Sequence, residues 1–147
     1  MIKVLIQVEA GSRERNLYDE KTLEFKGKHQ ISRPFPYPYG FIIGTSAADG
    51  DCVDCYIITR DKLQAGSIVE CEPVSLMEQD EDGEIDHKVL AALPGQTVEP
   101  GEGLLAELRD FIYTLIAPFP EVHIRIGRIL PREAALKHIQ EFRDRQV

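Results

Sequence analysis

Asp49, Asp51 and Asp54 fall within a single hexapeptide, Asp49-Gly50-Asp51-Cys52-Val53-Asp54. The glycine between the first two lets the backbone bend. Apolar, β-prone segments lie on either side, Tyr39-Gly40-Phe41-Ile42-Ile43-Gly44-Thr45 before it and Val53 through Thr59 after it. Three like charges at the mouth of a strand repel one another. The repulsion is relieved if they share hard cations, because Mg²⁺, Mn²⁺ and Ca²⁺ prefer oxygen ligands. A solvated acidic turn is the bland alternative, and the strand-like flanks favour the metal.

A second acidic stretch, Glu78-Gln79-Asp80-Glu81-Asp82-Gly83-Glu84-Ile85-Asp86, runs into His87-Lys88-Val89. Laid on a calcium-loop pattern with Gly83 at the sixth position, its twelfth residue is Val89, where a bidentate acid is required, so that reading fails. A charged hairpin tip is the bland account. Asp86 and Lys88, however, lie two apart and share a face of any strand they occupy. On one face the carboxylate can hold a metal ion and the ammonium can meet a phosphate.

The remaining chemistry-bearing residues carry less. Cys52 and Cys55 have zinc-finger spacing, but strand residues so spaced face apart, and no second Cys or His pair follows at finger distance. Three cysteines without secretory features fit free thiols in a reducing, cytoplasmic compartment. His123 and His138 read as surface or core histidines, and His87 points away from the Asp86 face. Arg125 and Arg128 read as paired surface cations or as cleft residues, and Tyr37 as either a phosphate contact or part of a stiff wall.

The elements that must position these residues are mostly strands. Residues 2–9 alternate as a half-buried strand, and 10–16 read as a loop carrying Arg13 and Arg15. Strand-like pieces at 17–18 and 22–25 precede a hairpin turn over Lys26-Gly27-Lys28-His29. In Arg33-Pro34-Phe35-Pro36-Tyr37-Pro38-Tyr39-Gly40 the alternate prolines forbid helix and enforce an extended run that fixes its aromatic side chains. Strands follow at 53–59, 67–76 and 87–93, with a Gly/Pro-rich loop over 94–103. Leu104, Leu105, Leu108, Phe111, Ile112, Leu115 and Ile116 have helical spacing up to a stop at Pro118. A strand at 122–130 leads to Pro131 and a last helix that buries Leu136, Ile139 and Phe142. Strands early and helices late predict a mainly β, α+β fold, a small closed β-barrel packed by two C-terminal helices in one domain over 1–147.

Composition sets outer limits. The chain has 147 residues, 43% of them apolar, and a formal net charge of −8. That length supports one domain with a sizeable core. The negative charge argues against nucleic acid or an anionic membrane as main partner. The N-terminus lacks the apolar core of a signal peptide, and no apolar run approaches the ~20 residues of a membrane span.

Together these residues resemble the soluble family I inorganic pyrophosphatases. The resemblance runs through Tyr39-Gly40-Phe41-Ile42, Thr45, the Asp49–Asp54 hexapeptide, Leu63, Gly66-Ser67, Val69, Cys71, Pro73-Val74 and Asp82-Gly83-Glu84-Ile85-Asp86-x-Lys88-Val89. It implies a five-stranded OB-like barrel, a homo-oligomer with a hexamer favoured, and pyrophosphate and phosphate as ligands. It also implies two or more Mg²⁺ ions, with Mn²⁺ as an alternative. Carried over by position, Asp49, Asp54 and Asp86 resemble ligands of the tighter metal site, and Glu81 a further acidic ligand for which Asp80 or Asp82 could substitute. Asp51 resembles the base acting on the attacking water. Tyr39 and Lys88 resemble phosphate contacts, joined by Arg15 and Lys28.

The departures from the family pattern are concentrated. Gln7 stands where the first strand normally ends in Glu. Arg15-Asn16-Leu17 replaces a Lys-x-Glu, keeping the base and losing the acid. Only Lys26 or Lys28 lies near a family arginine, Cys52 replaces a proline, and Phe35 stands where Tyr is common. The Tyr-Lys pair after the penultimate helix is absent, with Pro118-Phe119-Pro120-Glu121 in that region. The expected function is Mg²⁺-dependent hydrolysis of pyrophosphate to two phosphates by a metal-activated water. Two alternatives stand beside it: a catalytically weak relative that binds divalent metal or a phosphorylated ligand, and a hydrolase of a different diphosphate.

Overall fold

In the computed structural model, which describes residues 1–145, the first strand already shows the principle of the fold. β1 (Ile2–Val8) is buried along nearly its whole length. Ile2, Val4 and Ile6 enter one apolar cluster, whereas Leu5, on the other face, packs with Phe41 and Cys52 beneath Tyr18 and Leu23. A strand covered on both sides must have neighbours above and below as well as beside it.

Those beside it close a ring. β1 pairs antiparallel with β4 (Tyr39–Ile42), β4 with β5 (Asp54–Ile57), and β5 runs parallel to β8 (Lys88–Ala92). β8 pairs antiparallel with β6 (Ile68–Glu81), and β6 returns to β1. The mainly β, five-stranded closed barrel predicted from the sequence is therefore present. Period-two alternation sorts its side chains. Cys55, Ile57, Val89 and Ala91 share the first cluster with Ala135 and Ile139 of α2 (Arg132–Glu141). Tyr56 and Leu90 instead join Leu104, Leu105, Leu108, Phe111 and Ile112 of α1 (Glu102–Ile116). Truncating a side chain such as the fully buried Leu108 to Ala costs about 2–5 kcal/mol.

Gly40 shows how tightly β4 lies on β1. A Cβ built there would sit 1.8 Å from the Leu5 carbonyl oxygen, so no side chain fits.

Outside the ring, β2 (Glu14–Tyr18) and β3 (Phe25–Gln30) form a hairpin. Lys26, Gly27, Lys28 and His29 lie within β3, not in the turn expected there. The turn falls at residues 19–24 because the Asp19 carboxylate accepts the backbone N–H groups of Lys21 (3.0 Å) and Thr22 (2.8 Å), fixing the chain reversal locally. β2 correspondingly starts at Glu14, inside the expected loop. β6 runs 14 residues, five beyond the expected end at 76, since its far end pairs with β9 (Ile124–Leu130) and β7 (Glu84–Ile85). Glu78 and Asp80 then face Arg128 (2.9 Å) and Arg125 (3.1 Å) across that pairing, so both arginines are paired surface cations. Among the described residues no helix is long and apolar enough to cross a membrane.

Candidate functional site

Strand register brings the two acidic stretches together. β5 and β8 are parallel, with Cys55 opposite Val89, so their first residues, Asp54 and Lys88, lie side by side. The Lys88 ammonium donates to Asp54 Oδ2 at 2.6 Å and to Asp86 Oδ2 at 3.0 Å. Lys88 is only 5% exposed. Burial works against its charge, but Asp54, Tyr39 and Asp86 outweigh burial and hold its pKa well above the ordinary lysine value. Asp86 moves the opposite way from a simple ion-pair partner: burial raises its pKa, Lys88 lowers it, and Asp54 and Asp49 raise it again. Burial first, and the neighbouring acids after it, thus outweigh Lys88 and hold the Asp86 pKa above the ordinary carboxylate value.

The loop before β5 is held at both ends. Asp49 Oδ1 accepts the Asp51 N–H at 3.0 Å, and Gly50 between them takes φ +88°, a conformation suited to glycine. Thr45, 1% exposed, donates its hydroxyl to the Ile42 carbonyl at 2.7 Å and accepts the Val53 N–H at 2.9 Å. From the β2–β3 turn, the Glu20 carboxylate accepts the Cys52 N–H at 2.7 Å. Burial raises the Glu20 pKa, the Cys52 N–H lowers it, and the charges of Asp54 and Asp51 raise it again.

Asp49, Asp51, Asp54, Asp86, Glu81 and Glu20 all line one cavity of about 270 Å³, together with Arg15, Tyr39 and Lys88. Every expected metal, base and phosphate residue is brought there except Lys28. Lys28 is not among the lining residues: it lies on exposed β3 with its ammonium 3.0 Å from Glu14. Tyr39 is buried, its ring 5.2 Å from Phe35 and 4.8 Å from Tyr56, and burial together with Asp54 keeps the phenol protonated far above its usual range. Arg15 Cζ lies 5.6 Å from the Tyr39 ring centroid, and Arg15 Nε is buried without a partner.

Glu20 was missed in the sequence. It follows the position of the lost Lys-x-Glu acid by three residues, and only the turn set by Asp19 carries it back over the loop. Gln79, 5% exposed with Oε1 buried and unpartnered, also lines the cavity unforeseen. Gln7 is tied up elsewhere, exchanging amide contacts with Asn16 across β1 and β2.

Other candidates fall outside. Tyr37 lines a separate cleft of about 520 Å³, donating to Glu107 at 2.5 Å. Burial and that carboxylate push its pKa up to about 12. His87 Nδ1 accepts the Gln79 N–H, and His138 lies against His87, its pKa lowered by burial and that neighbour. Cys52 and Cys55 are buried in different clusters.

Oxygen donors alone, six carboxylates against two cations, make the cavity chemically suited to hard divalent ions. No three acidic, cysteine or histidine side chains among the described residues already converge on one point, and Lys88 links two of the acids. The excess of six carboxylates over two cations among the lining residues nevertheless fits a cation.

The chain matches the family model for inorganic pyrophosphatase over residues 4–146. An inorganic pyrophosphatase of Sulfolobus acidocaldarius is 32% identical over 113 residues, covering 75% of this chain and 64% of the relative. One of Nanoarchaeum equitans is 27% identical over 154 residues, covering 97% and 96%. The crystal structure of the inorganic pyrophosphatase from Thermus thermophilus superposes with a TM-score of 0.83 at 25% identity, covering 94% of this chain and 86% of that one. That of Helicobacter pylori gives 0.84 at 20% identity, covering 95% and 89%.

Proposed function

Since the chain belongs to the inorganic pyrophosphatase family, we propose that it hydrolyses inorganic pyrophosphate to two phosphates in a Mg²⁺-dependent reaction. The observation that carries this reading is the meeting of Asp49, Asp51, Asp54 and Asp86 with Lys88 in one cavity. Asp49, Asp54, Asp86 and Glu81 would hold two or more divalent ions, which when bound lower the pKa of water and neutralise phosphate oxygens. Glu20 borders the same acids and is a further oxygen ligand in this reading.

The chain's own side chains divide the remaining work. Asp51, in the loop pinned by Thr45 and Glu20, accepts the proton of the attacking water. Lys88 orients Asp54 and Asp86 through its two short contacts and presents positive charge to the substrate. Tyr39, kept protonated by burial, serves as a donor to a phosphate oxygen. Arg15, whose Nε is buried and unpaired, supplies a second cationic contact. Family likeness supports a cytoplasmic homo-oligomer, a hexamer being the form to look for by sedimentation.

Phosphate release from pyrophosphate, with and without Mg²⁺, tests the assignment. Asp51→Asn is expected to lower kcat by roughly 10²–10⁴, and unchanged turnover in that variant refutes Asp51 as base. A second reading, a catalytically weak relative that binds metal or a phosphorylated ligand, is favoured by the small number of cations around the cavity. Its signature is Mg²⁺ binding with no phosphate release.

A further inference from the structure

Three parts of the chain meet where the acidic loop begins. Residues 142–144, just past α2, run beside residues 44–46, which lead into Asp49–Asp54. The Ser46 N–H donates to the Phe142 carbonyl at 2.8 Å, and the Asp144 N–H to the Gly44 carbonyl at 2.9 Å. Between them Thr45 forms an antiparallel bridge with Arg143. The turn between β2 and β3 is the third part. Its Lys21 ammonium donates to the Thr45 carbonyl at 3.1 Å, to the Ser46 hydroxyl and to Asp144 Oδ2 at 3.4 Å. The Ser46 hydroxyl donates in turn to Asp144 Oδ1 at 2.6 Å.

Lys21 is the chain neighbour of Glu20, whose carboxylate lines the cavity and accepts the Cys52 N–H. The Cys52 thiol also faces the Glu20 carbonyl, at 3.7 Å. The charges of Asp54 and Asp51 repel the Glu20 carboxylate, so a loose turn would let it swing toward solvent. Lys21 ties that turn down one residue further along. As an exposed ion pair, Lys21 and Asp144 contribute little to stability, their side chains being 52% and 41% exposed. Their contact matters for where it holds the turn.

We infer that Lys21 and Asp144 are positioning residues for the divalent-ion site, holding the turn so that the Glu20 carboxylate stays over the acidic loop; this rests on the ion-binding part of the reading above. Neither side chain lines the cavity. Asp144 places Lys21 directly and through the Ser46 hydroxyl, and Lys21 places Glu20 through the backbone they share. Of the three, Glu20 alone would touch an ion.

Calorimetric titration of the full chain with Mg²⁺ alone, without substrate, tests this. Lys21→Met is expected to weaken Mg²⁺ binding about tenfold, the low end of the effect of losing a group that orients a metal ligand. The sign is diagnostic. By charge alone, removing a cation near an acidic site tightens Mg²⁺ binding, so weakening requires that Glu20 has moved. Lys21→Arg, which keeps a donor near Thr45 and Asp144, restores the parent affinity. In a Glu20→Gln chain, Lys21→Met no longer weakens binding, since the carboxylate it placed is gone. If circular dichroism shows Lys21→Met unfolded, Asp144→Asn takes its place, with the same weakening and the same dependence on Glu20.

Equal or tighter Mg²⁺ binding in Lys21→Met overturns the inference, and so does equal weakening with and without the Glu20 carboxylate. Phosphate release from pyrophosphate is measured beside the titrations. A parent chain that binds Mg²⁺ but releases no phosphate sinks the hydrolase reading, while weaker binding in Lys21→Met still upholds the positioning roles. A parent chain that binds no Mg²⁺ removes both.

Discussion

The two walls of the cavity are built by different means. On the acidic wall, positions follow from backbone pairing: Asp54 and Lys88 are neighbours because Cys55 and Val89 are in register, and Tyr39 faces Tyr56 across β4 and β5. Changing any of them without moving the ring changes only a side chain. The apolar lining residues come from two sources: Ile112 and Leu115 from α1, which meets the ring through side-chain packing, and Ile124 from β9, which is hydrogen-bonded to β6. Asp54, Lys88 and Tyr39 are thus placed by backbone hydrogen bonds, whereas Ile112 and Leu115 are placed by the packing of α1.

Substitutions that strike one wall at a time sharpen this contrast. The largest effect is expected from Gly40→Ala, where the new Cβ overlaps the Leu5 carbonyl and the ring must open between β1 and β4. A stability loss of at least about 4 kcal/mol follows, and a denaturation midpoint equal to that of the parent chain would show that β4 is not held so closely.

Next comes Lys88→Met. Removing one partner of a buried ionic cluster costs about 3–5 kcal/mol because Asp54 and Asp86 are left uncompensated. Mg²⁺ should raise the melting temperature of this variant more than that of the parent, since the ion supplies the missing charge. An equal rise in both would separate the acids from metal binding.

The smallest effect belongs to the other wall. Leu115 is half-buried at the end of α1, so Leu115→Lys should cost less than about 1.5 kcal/mol, read from the denaturation midpoint. A loss comparable to Lys88→Met would mean that the apolar wall supports the fold as strongly as the acidic one.

Much of the acidic wall was legible before folding. Six-residue spacing placed Asp49, Asp51 and Asp54 in one turn, and a separation of two placed Asp86 with Lys88, because both relations are local. Glu20 was not legible, since its arrival over Cys52 depends on a turn whose position was misjudged by several residues. Lys28 is expected near the cavity only because it lies close to the place of a family arginine; β3 sets it beside Glu14 instead. The true end of β6 was hidden because the residues beyond 76 are acidic and become strand only by pairing with β9.

From the sequence alone came the barrel class, the alternating faces of its strands and the identity of nearly all the acids, since periodicity and short spacing act along the chain. Tertiary structure alone decided that Asp54 and Asp86 share Lys88, that Glu20 joins the same cavity, and that α1 and β9 add Ile112, Leu115 and Ile124 to its lining. Those relations join residues far apart in sequence, and strand register and helix docking, which no local pattern encodes, determine them.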